Sequence, residues 1–291
     1  MAKVLIAGCG DLGAGLAQSL IGAGHSVTAI RRTGVDFPAG VMGITGDILT
    51  LADAQLPAVE MIFLIMTPSG RTEAAYQQAY LATAQRLVQR YREQAVSPKV
   101  FFVSSTSVDG QNQGEWLTEA DLAVTSSPTA AVLLATERYL TSHLPTTSVR
   151  FSGIYGLGRG RLLEQLVRGE EWSPNQWTNR IHRDDCVRLL AFLNQCHLQG
   201  QPLNACYIGT DSTPVSLWEV KLTIAASLGV TPNLPSHGAV ADFIPQSGKR
   251  LSNQALRSLG FNFLYPSYTL GYAAMIDAYL ENNRPLGHES N

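Results

Sequence analysis

A short glycine-rich segment near the N-terminus constrains the fold of this chain more than any other feature. Residues 8–13 read Gly-Cys-Gly-Asp-Leu-Gly, a GxGxxG pattern. An apolar run at residues 4–7 precedes it, and leucines at helical spacing follow it. This context predicts a strand, a tight turn and a helix whose N-terminus binds a diphosphate, although a glycine turn without a ligand is the alternative. The residues assigned to this turn are Gly8, Gly10, Asp11, Leu12 and Gly13.

The first half of the chain alternates strand and helix patterns. Helices are predicted at residues 72–94 and 128–143. This alternation predicts an α/β fold with a doubly wound parallel sheet of the Rossmann type. Fully apolar strands fit a sheet that is covered on both faces. The predicted strands lie at residues 4–7, 26–30, 41–45, 61–66, 100–103 and 147–151.

The sequence changes character after Arg150, where four glycines fall within residues 153–160. We therefore predict a dinucleotide-binding Rossmann domain over residues 1–152 and a smaller C-terminal α/β substrate domain over residues 153–291. A helix and a strand are expected within residues 184–211, and we expect this part to pack back on the first sheet.

Composition excludes several classes of protein. The formal charge is −2 and only 15% of residues are charged, which argues against a nucleic-acid partner and against a disordered chain. The apolar run at residues 59–66 is too short to span a membrane, which needs about 20 apolar residues. The four cysteines form no CxxC pair and do not have the spacing of metal ligands, so we expect no metal site. We expect the protein to lie in a reducing compartment, the cytoplasm.

Two arginines at the end of the second predicted strand bear on the choice of dinucleotide. A site for NAD places an acid about 20 residues beyond the glycine loop, but this chain has Arg31 and Arg32 there. Guanidinium groups bind phosphate, so NADP is favoured over NAD, the alternative being solvated surface arginines. Asp47 is expected to accept a hydrogen bond from adenine or else to form a turn, and Thr67 and Pro68 are expected to line the cofactor.

Five segments resemble, in the same order, motifs of the extended short-chain dehydrogenase/reductase superfamily. Within it, they resemble the NAD-dependent epimerase/dehydratase (nucleoside-diphosphate-sugar epimerase-like) branch. The sequence also resembles a bacterial, YeeZ-like subgroup. The five segments run over nearly the whole chain. The resemblance implies an NADP-dependent oxidoreductase or epimerase/dehydratase-like enzyme for a small polar, nucleotide-sugar-like substrate. The segments are the glycine loop, Gly46-Asp47, and residues 103–110, 150–156 and 181–185.

The resemblance also implies roles for single residues. Ser105 stands at the family's catalytic serine and would hydrogen-bond a substrate carbonyl or hydroxyl, the alternative being a serine that satisfies the backbone at a strand end. Tyr155 would orient the nicotinamide through its loop, or else pack in a core. Ser104, Gly153 and Ile154 would lie beside the cofactor.

The chain departs from the family at its proton-transfer residues. The family uses a Tyr-x-x-x-Lys pair, whereas this chain has Thr129 at the tyrosine position and Leu133 at the lysine position. No tyrosine precedes any of the four lysines by four residues, so the pair has not moved along the chain. The tyrosine of the family's Val-Tyr-Gly element is replaced by Asp109.

Other groups must therefore move the proton if the chain is an enzyme. The candidates are His182, Asp109, Asp184, Tyr155 and a water held by Ser105. The alternatives are a packed histidine and aspartates that cap a helix.

Arg159 and Arg183, with Asp109, are assigned to substrate binding because guanidinium groups suit a diphosphate or carboxylate, although they could equally be solvated arginines. A catalytically silent dinucleotide-binding sensor or interaction protein remains the alternative function. A homodimer through the helices at residues 72–94 and 128–143 is slightly favoured over packing of their apolar stripe within the chain.

Overall fold

Seven parallel strands form one sheet at the centre of the molecule. We describe a computed structural model of the chain, over residues 1–34, 36–235 and 240–283. The strand order is β7-β6-β5-β4-β1-β2-β3, with every neighbouring pair parallel, which confirms the predicted Rossmann-type fold. The strands are β1 Lys3–Ala7, β2 Ser26–Arg31, β3 Met42–Thr45, β4 Met61–Leu64, β5 Lys99–Ser105, β6 Thr146–Phe151 and β7 Cys206–Gly209.

Helices cover both faces of the sheet. The helices of the described residues are α1 Asp11–Gly22, α2 Glu73–Tyr76, α3 Thr83–Tyr91, α4 Pro128–His143, α5 Arg161–Val167, α6 Arg183–Leu198, α7 Leu217–Leu228, α8 Gln254–Leu259 and α9 Tyr268–Asn282. Val4 and Ile6 of β1 face the core that α1 and α6 cover, whereas Leu5 and Ala7 face the core that α3 and α4 cover. This two-sided burial explains the continuous apolar strands of the sequence.

The second half of the chain contributes to the first sheet. Strand β7 pairs with β6, and α6 packs along α1. The two helices approach closely at Gly15, where a Cβ atom would lie 3.0 Å from a methyl group of Val187 and 3.1 Å from a guanidinium nitrogen of Arg183. The first residue of α6 is thereby held above the first turns of α1.

A smaller C-terminal lobe has its own apolar core. Helices α5, α7 and α9 enclose it, together with Tyr155, Trp172, Trp218 and Tyr272. Short strand pairs lie outside the central sheet: Gly153–Tyr155 pairs with Arg180–His182, Val215–Ser216 with Trp177–Thr178, and Trp116–Leu117 with Arg250–Leu251. The last of these pairs joins the first half of the chain to the second. Within the described residues, no helix is both long and apolar enough to cross a membrane.

The helix predicted at residues 72–94 is shorter and irregular. It consists of α2, a π-helical segment Gln77–Ala82 and α3. Its predicted apolar stripe is Leu81, Ala84, Leu87 and Val88, of which the last three are buried against the chain's own sheet and Leu81 is half-buried. Homodimer formation stays a prediction, and this stripe does not support it.

Candidate functional site

The glycine loop requires glycine at two of its three positions. Gly8 has a φ of +103°, and a Cβ atom there would collide with the carbonyl oxygen of Ile65 at the end of β4. A Cβ atom at Gly13 would collide with the carbonyl oxygen of Gly8. At Gly10 no atom of the described residues lies within 4 Å of the place a Cβ would take, so the absent side chain leaves the backbone open to a ligand. The loop lies between β1 and β4, where the strand order reverses and such sheets bind ligands.

The first turn of α1 presents free backbone N–H groups beside this loop. Gly10 is the N-cap residue, and no side chain in the described part of the chain caps the helix. Asp11 is exposed, whereas Leu12 is buried and anchors the turn to the core. Uncapped N–H groups and the helix dipole together favour an anion at this end of the helix.

A cavity of about 190 Å³ adjoins the loop on the β2 and β3 side. It brings together several of the predicted cofactor residues, and Pro68 follows it at the end of β4. Its walls are Gly8, Cys9, Gly10, Ile30, Arg31, Arg32, Thr33, Gly46, Asp47, Ile48, Ile65, Met66 and Thr67.

The charged side chains that line this cavity make few hydrogen bonds within the described residues. Arg31 is half-buried and its Nη1 donates to the carbonyl of Asp36 at 3.4 Å, whereas Arg32 is exposed. One carboxylate oxygen of Asp47 accepts from the backbone N–H of Leu49 at 3.0 Å, so Asp47 shapes its own turn. Two guanidinium groups at the cavity rim can therefore reach a phosphate without breaking a buried ion pair.

Ser105 lies at the end of a strand and Thr129 at the start of a helix, and neither side chain is an acid. Ser105 ends β5 half-buried, and its Oγ accepts from the backbone N–H of Ser107 at 3.2 Å. Thr129 lies in the first turn of α4, with its hydroxyl 3.0 Å from that of Ser127. Leu133, at the family's lysine position, is buried in the core under the sheet. These positions offer hydroxyl groups for hydrogen bonding and no group that titrates near neutral pH.

A buried ion network lies directly behind Ser105. Arg150 of β6 donates to both carboxylate oxygens of Glu137 of α4, at 3.0 and 2.7 Å, and to Asp109 at 2.9 Å. Ser104 donates to Glu137 at 2.6 Å, so this predicted cofactor residue belongs to the network. All four residues are buried. Glu137 was missed from the sequence, although a charge on the buried face of a helix was the available signal.

Lys249 reaches the same network from the C-terminal lobe. Its Nζ donates to the carbonyl of Thr106 at 2.6 Å and to the carbonyl of Asp109. The other carboxylate oxygen of Asp109 has no hydrogen-bond partner within the described residues. Burial raises the pKa of Asp109, opposed by Arg150 and Lys249, and burial lowers the pKa of Lys249. Asp109 is thus a buried carboxyl group of the site with a raised pKa and with one oxygen unpaired within the described residues.

Tyr155 lies within the core of the C-terminal lobe. Its ring stacks on that of Tyr272 with centroids 4.7 Å apart, and its hydroxyl packs against Gly271 without a hydrogen-bond partner in the described structure. Burial raises the pKa of this phenol. Gly153 and Ile154 precede it in a short strand, Gly153 exposed and Ile154 half-buried. The catalytic assignment of Tyr155 stays a prediction, and the observed contacts are those of a packed residue.

His182 caps α6. Its Nδ1 accepts from the backbone N–H of Asp184 at 3.2 Å, and its ring lies 3.8 Å from that of Tyr265. Burial lowers the pKa of this histidine, in keeping with a neutral ring that accepts a hydrogen bond. Its catalytic assignment also stays a prediction. The structure keeps His182 and Tyr155 together, in edge-to-face contact at 5.3 Å.

Arg159 and Arg183 meet at the glycine loop. Arg159 donates to one carboxylate oxygen of Asp11 at 2.9 and 3.0 Å, and Arg183 donates to the other at 2.7 Å. Arg183 also binds Asp184 at 2.8 Å. The two arginines that we assigned to substrate binding are therefore the ion-pair partners of a residue that we assigned to the cofactor.

Asp211 is a buried acid that the sequence analysis did not single out. It follows β7, is fully buried, and accepts from the backbone N–H of Thr213 at 3.0 Å. Burial raises its pKa to about 7, against opposing effects of that hydrogen bond and of Arg180. A charged residue just beyond a buried strand was the only signal for it.

The chain is similar to several known proteins over almost its full length, although no family model matches it. It is 30% identical over 284 residues to Protein YeeZ of Escherichia coli K12, covering 91% of this chain and 97% of that protein. A solved structure from Methylobacillus flagellatus, described as an NAD-dependent epimerase/dehydratase, is 35% identical with a TM-score of 0.80, covering 96% and 98% of the two chains. MoeE5 in complex with UDP-glucose and NAD is 25% identical with a TM-score of 0.76, covering 96% and 99%.

The buried network predicts a large effect of removing the Arg150 guanidinium group that joins its two carboxylates. Arg150→Met leaves Glu137 and Asp109 without their partner and should lower the free energy of unfolding by about 3–5 kcal/mol. Urea unfolding measures this. Arg138→Met removes an exposed arginine from the same helix as Glu137 and should change stability by no more than about 0.5 kcal/mol. Similar losses in the two variants would contradict the network.

Asp211 predicts a dependence of stability on pH. The pKa of Asp211 in the folded chain, about 7, lies above its value in the unfolded chain. Its contribution to the free energy of unfolding is therefore complete at low pH and is lost as the pH rises to about 7. The loss should approach about 1.4 kcal/mol per pH unit between about pH 4 and 7. Asp211→Asn should remove this slope, whereas Asp277→Asn, at an exposed aspartate, should keep it. A wild-type slope that persists in Asp211→Asn would contradict the assignment.

Proposed function

Since the chain belongs to the NAD-dependent epimerase/dehydratase family and to its YeeZ-like subgroup, we propose that it is an NADP-dependent oxidoreductase or epimerase/dehydratase-like enzyme. Its substrate would be small and polar, of the nucleotide-sugar type that is present in the MoeE5 complex. The observation that carries the proposal is the glycine loop at the carboxyl ends of β1 and β4, where Gly10 leaves the backbone open beside the uncapped N-terminus of α1.

The residues present fit a dinucleotide. Gly8, Gly10 and the first turn of α1 would hold the diphosphate, and the adjoining cavity would hold the adenosine half. The nicotinamide supplies hydride transfer when it is bound. Arg31 and Arg32 at the cavity rim favour NADP, because residues 31–33 contain no acid to repel a 2′-phosphate.

The substrate side of the proposal rests on the turn from Ser105 to Asp109. Ser105 would donate its hydroxyl hydrogen to a substrate carbonyl or hydroxyl oxygen. Asp109, in the same turn, is the candidate that would hold or release a proton, because its pKa is raised and one carboxylate oxygen is unpaired. Tyr155 is packed in the core of the C-terminal lobe, and His182, in contact with it, caps α6, so they are weaker candidates.

A second function is favoured by one specific observation. The positions of the family's tyrosine and lysine hold Thr129 and the buried Leu133, neither of which can transfer a proton near neutral pH. A catalytically silent protein that senses or carries a dinucleotide would need the glycine loop and no such pair.

Dinucleotide selectivity tests the cofactor proposal. NADPH should bind more tightly than NADH in a fluorescence titration. Arg31→Gln and Arg32→Gln should each weaken NADPH binding by about tenfold, because each removes a charge-assisted hydrogen bond to the 2′-phosphate, and should leave NADH binding unchanged. Arg71→Gln removes an exposed arginine outside the cavity and serves as the control. Equal affinities of the wild-type chain for NADPH and NADH would contradict the NADP assignment.

A reaction assay separates the two functions. The chain is incubated with UDP-glucose or UDP-glucuronic acid and NADP⁺ or NAD⁺, and chromatography then detects an epimerised or oxidised sugar. Ser105→Ala should lower turnover by at least about 100-fold with unchanged cofactor affinity, since it removes a donor needed in the transition state. Ser107→Ala, at an exposed serine of the same turn, should retain turnover. Tight dinucleotide binding without any product would favour the silent protein.

A further inference from the structure

The ion pairs of Asp11 join three distant parts of the chain. Asp11 belongs to the first turn of α1, Arg159 to the glycine-rich loop before α5, and Arg183 to the first turn of α6. The two arginines approach different carboxylate oxygens, at 2.9 and 2.7 Å. Arg183 also donates to the backbone carbonyl of Asp11 at 3.2 Å. Both guanidinium groups of the C-terminal half therefore stand over one turn of the N-terminal half.

This turn is the place where the proposed dinucleotide would put its diphosphate. Asp11 directly follows Gly10, the uncapped N-cap residue of α1, so its backbone N–H belongs to the anion-binding end of the helix. The close packing of α6 on Gly15 fixes Arg183 here, with a guanidinium nitrogen 3.1 Å from the position of a Cβ at Gly15. Arg159 arrives on a loop whose Gly156 and Gly158 have φ values of +141° and +78°.

The ion pairs of Asp11 with Arg159 and Arg183 form at neutral pH, but they contribute little to stability, so a ligand can replace the carboxylate. Burial opposes ionisation of Asp11, but hydrogen bonds from Arg183 and Arg159 leave its pKa below the usual value, so the carboxylate is charged at neutral pH. The side chains of the three residues are 28–44% exposed, where ion pairs contribute little to stability. A diphosphate carries two negative charges and offers more acceptor oxygens than one carboxylate, and guanidinium groups bind such oxygens bidentately.

We propose that Arg159 and Arg183 are binding residues for the dinucleotide diphosphate, with Asp11 as the carboxylate that holds them at the first turn of α1. Binding exchanges the carboxylate for the diphosphate and ties the C-terminal half to the glycine loop through the cofactor. This inference rests on the proposed dinucleotide binding and deepens it. It moves both arginines from the substrate site, where the sequence analysis placed them, to the cofactor site.

Titration of NADPH against single variants tests the proposal. Arg159→Gln and Arg183→Gln should each weaken binding by about tenfold, as expected for a lost charge-assisted hydrogen bond. Arg168→Gln removes the same charge from α5's C-cap position, where the arginine pairs with Glu164 and Glu170, and should bind as the wild type does. ADP-ribose, which keeps the diphosphate and lacks the nicotinamide, should show the same losses. Unchanged NADPH binding in both arginine variants would overturn the proposal.

Asp11→Asn distinguishes a direct role of the arginines from a structural one. If the arginines bind the diphosphate, removing the competing carboxylate should tighten NADPH binding severalfold, and added salt should weaken it more steeply. If the arginines only brace the loop through Asp11, this variant should weaken binding as much as theirs, and that result would overturn the proposal. If the wild-type chain binds neither NADPH nor NADH, the proposed function itself is contradicted. If the wild-type chain binds NADPH and only the results for these variants differ from those expected, the proposed function is not contradicted.

Discussion

The need to cover both faces of a parallel sheet determines the layout of this molecule. Strands β1, β4 and β5 are apolar on both faces, and each face must be removed from water by a layer of helices. Helices α3 and α4 cover one face, but α1 covers the other only in part. The remaining cover comes from α6, which belongs to the second half of the chain. Burial of apolar surface therefore brings Arg183, at the start of α6, to the glycine loop at the start of α1.

Charged side chains are buried at the end of the sheet next to Ser105. Arg150 occupies a position in β6 whose neighbours are fully buried, so its charge requires compensation within the protein. Glu137 and Asp109 provide two carboxylates for one guanidinium, and Lys249 brings a second cation to the same turn. The network thus has two positive and two negative groups, contributed by β6, α4, the turn after β5 and the C-terminal lobe. Such a network holds the Ser105 turn in one arrangement, because moving any member leaves a buried charge unpaired.

The sequence was sufficient for those features that depend on local patterns. The glycine loop, the parallel sheet implied by alternating strands and helices, and the clustering of Gly8, Arg31, Asp47 and Thr67 around one cavity all follow from spacing and from where parallel strands end. Contacts between distant segments could not be predicted in this way. Nothing in the residues around Arg159 and Arg183 indicates that their partner is Asp11, since that pairing depends on how α6 packs against Gly15. The position of Asp211 likewise depends on burial that only the folded chain creates.

Lys249 shows the limit of a spacing argument most directly. A search for a tyrosine four residues before each lysine examines neighbours on one helix, so it cannot detect a lysine that arrives from another lobe. Lys249 does arrive close to the Ser105 turn, yet its position does not restore the family's catalytic pair. Two of the three hydrogens of its ammonium group are donated to backbone carbonyls of Thr106 and Asp109, and the acids that act on its charge are the carboxyl groups of Asp109 and Glu115 rather than a phenol. A cation in this position favours the ionised form of Asp109 and secures the turn, so any proton transfer at this site has to pass through groups different from those of the family's usual pair.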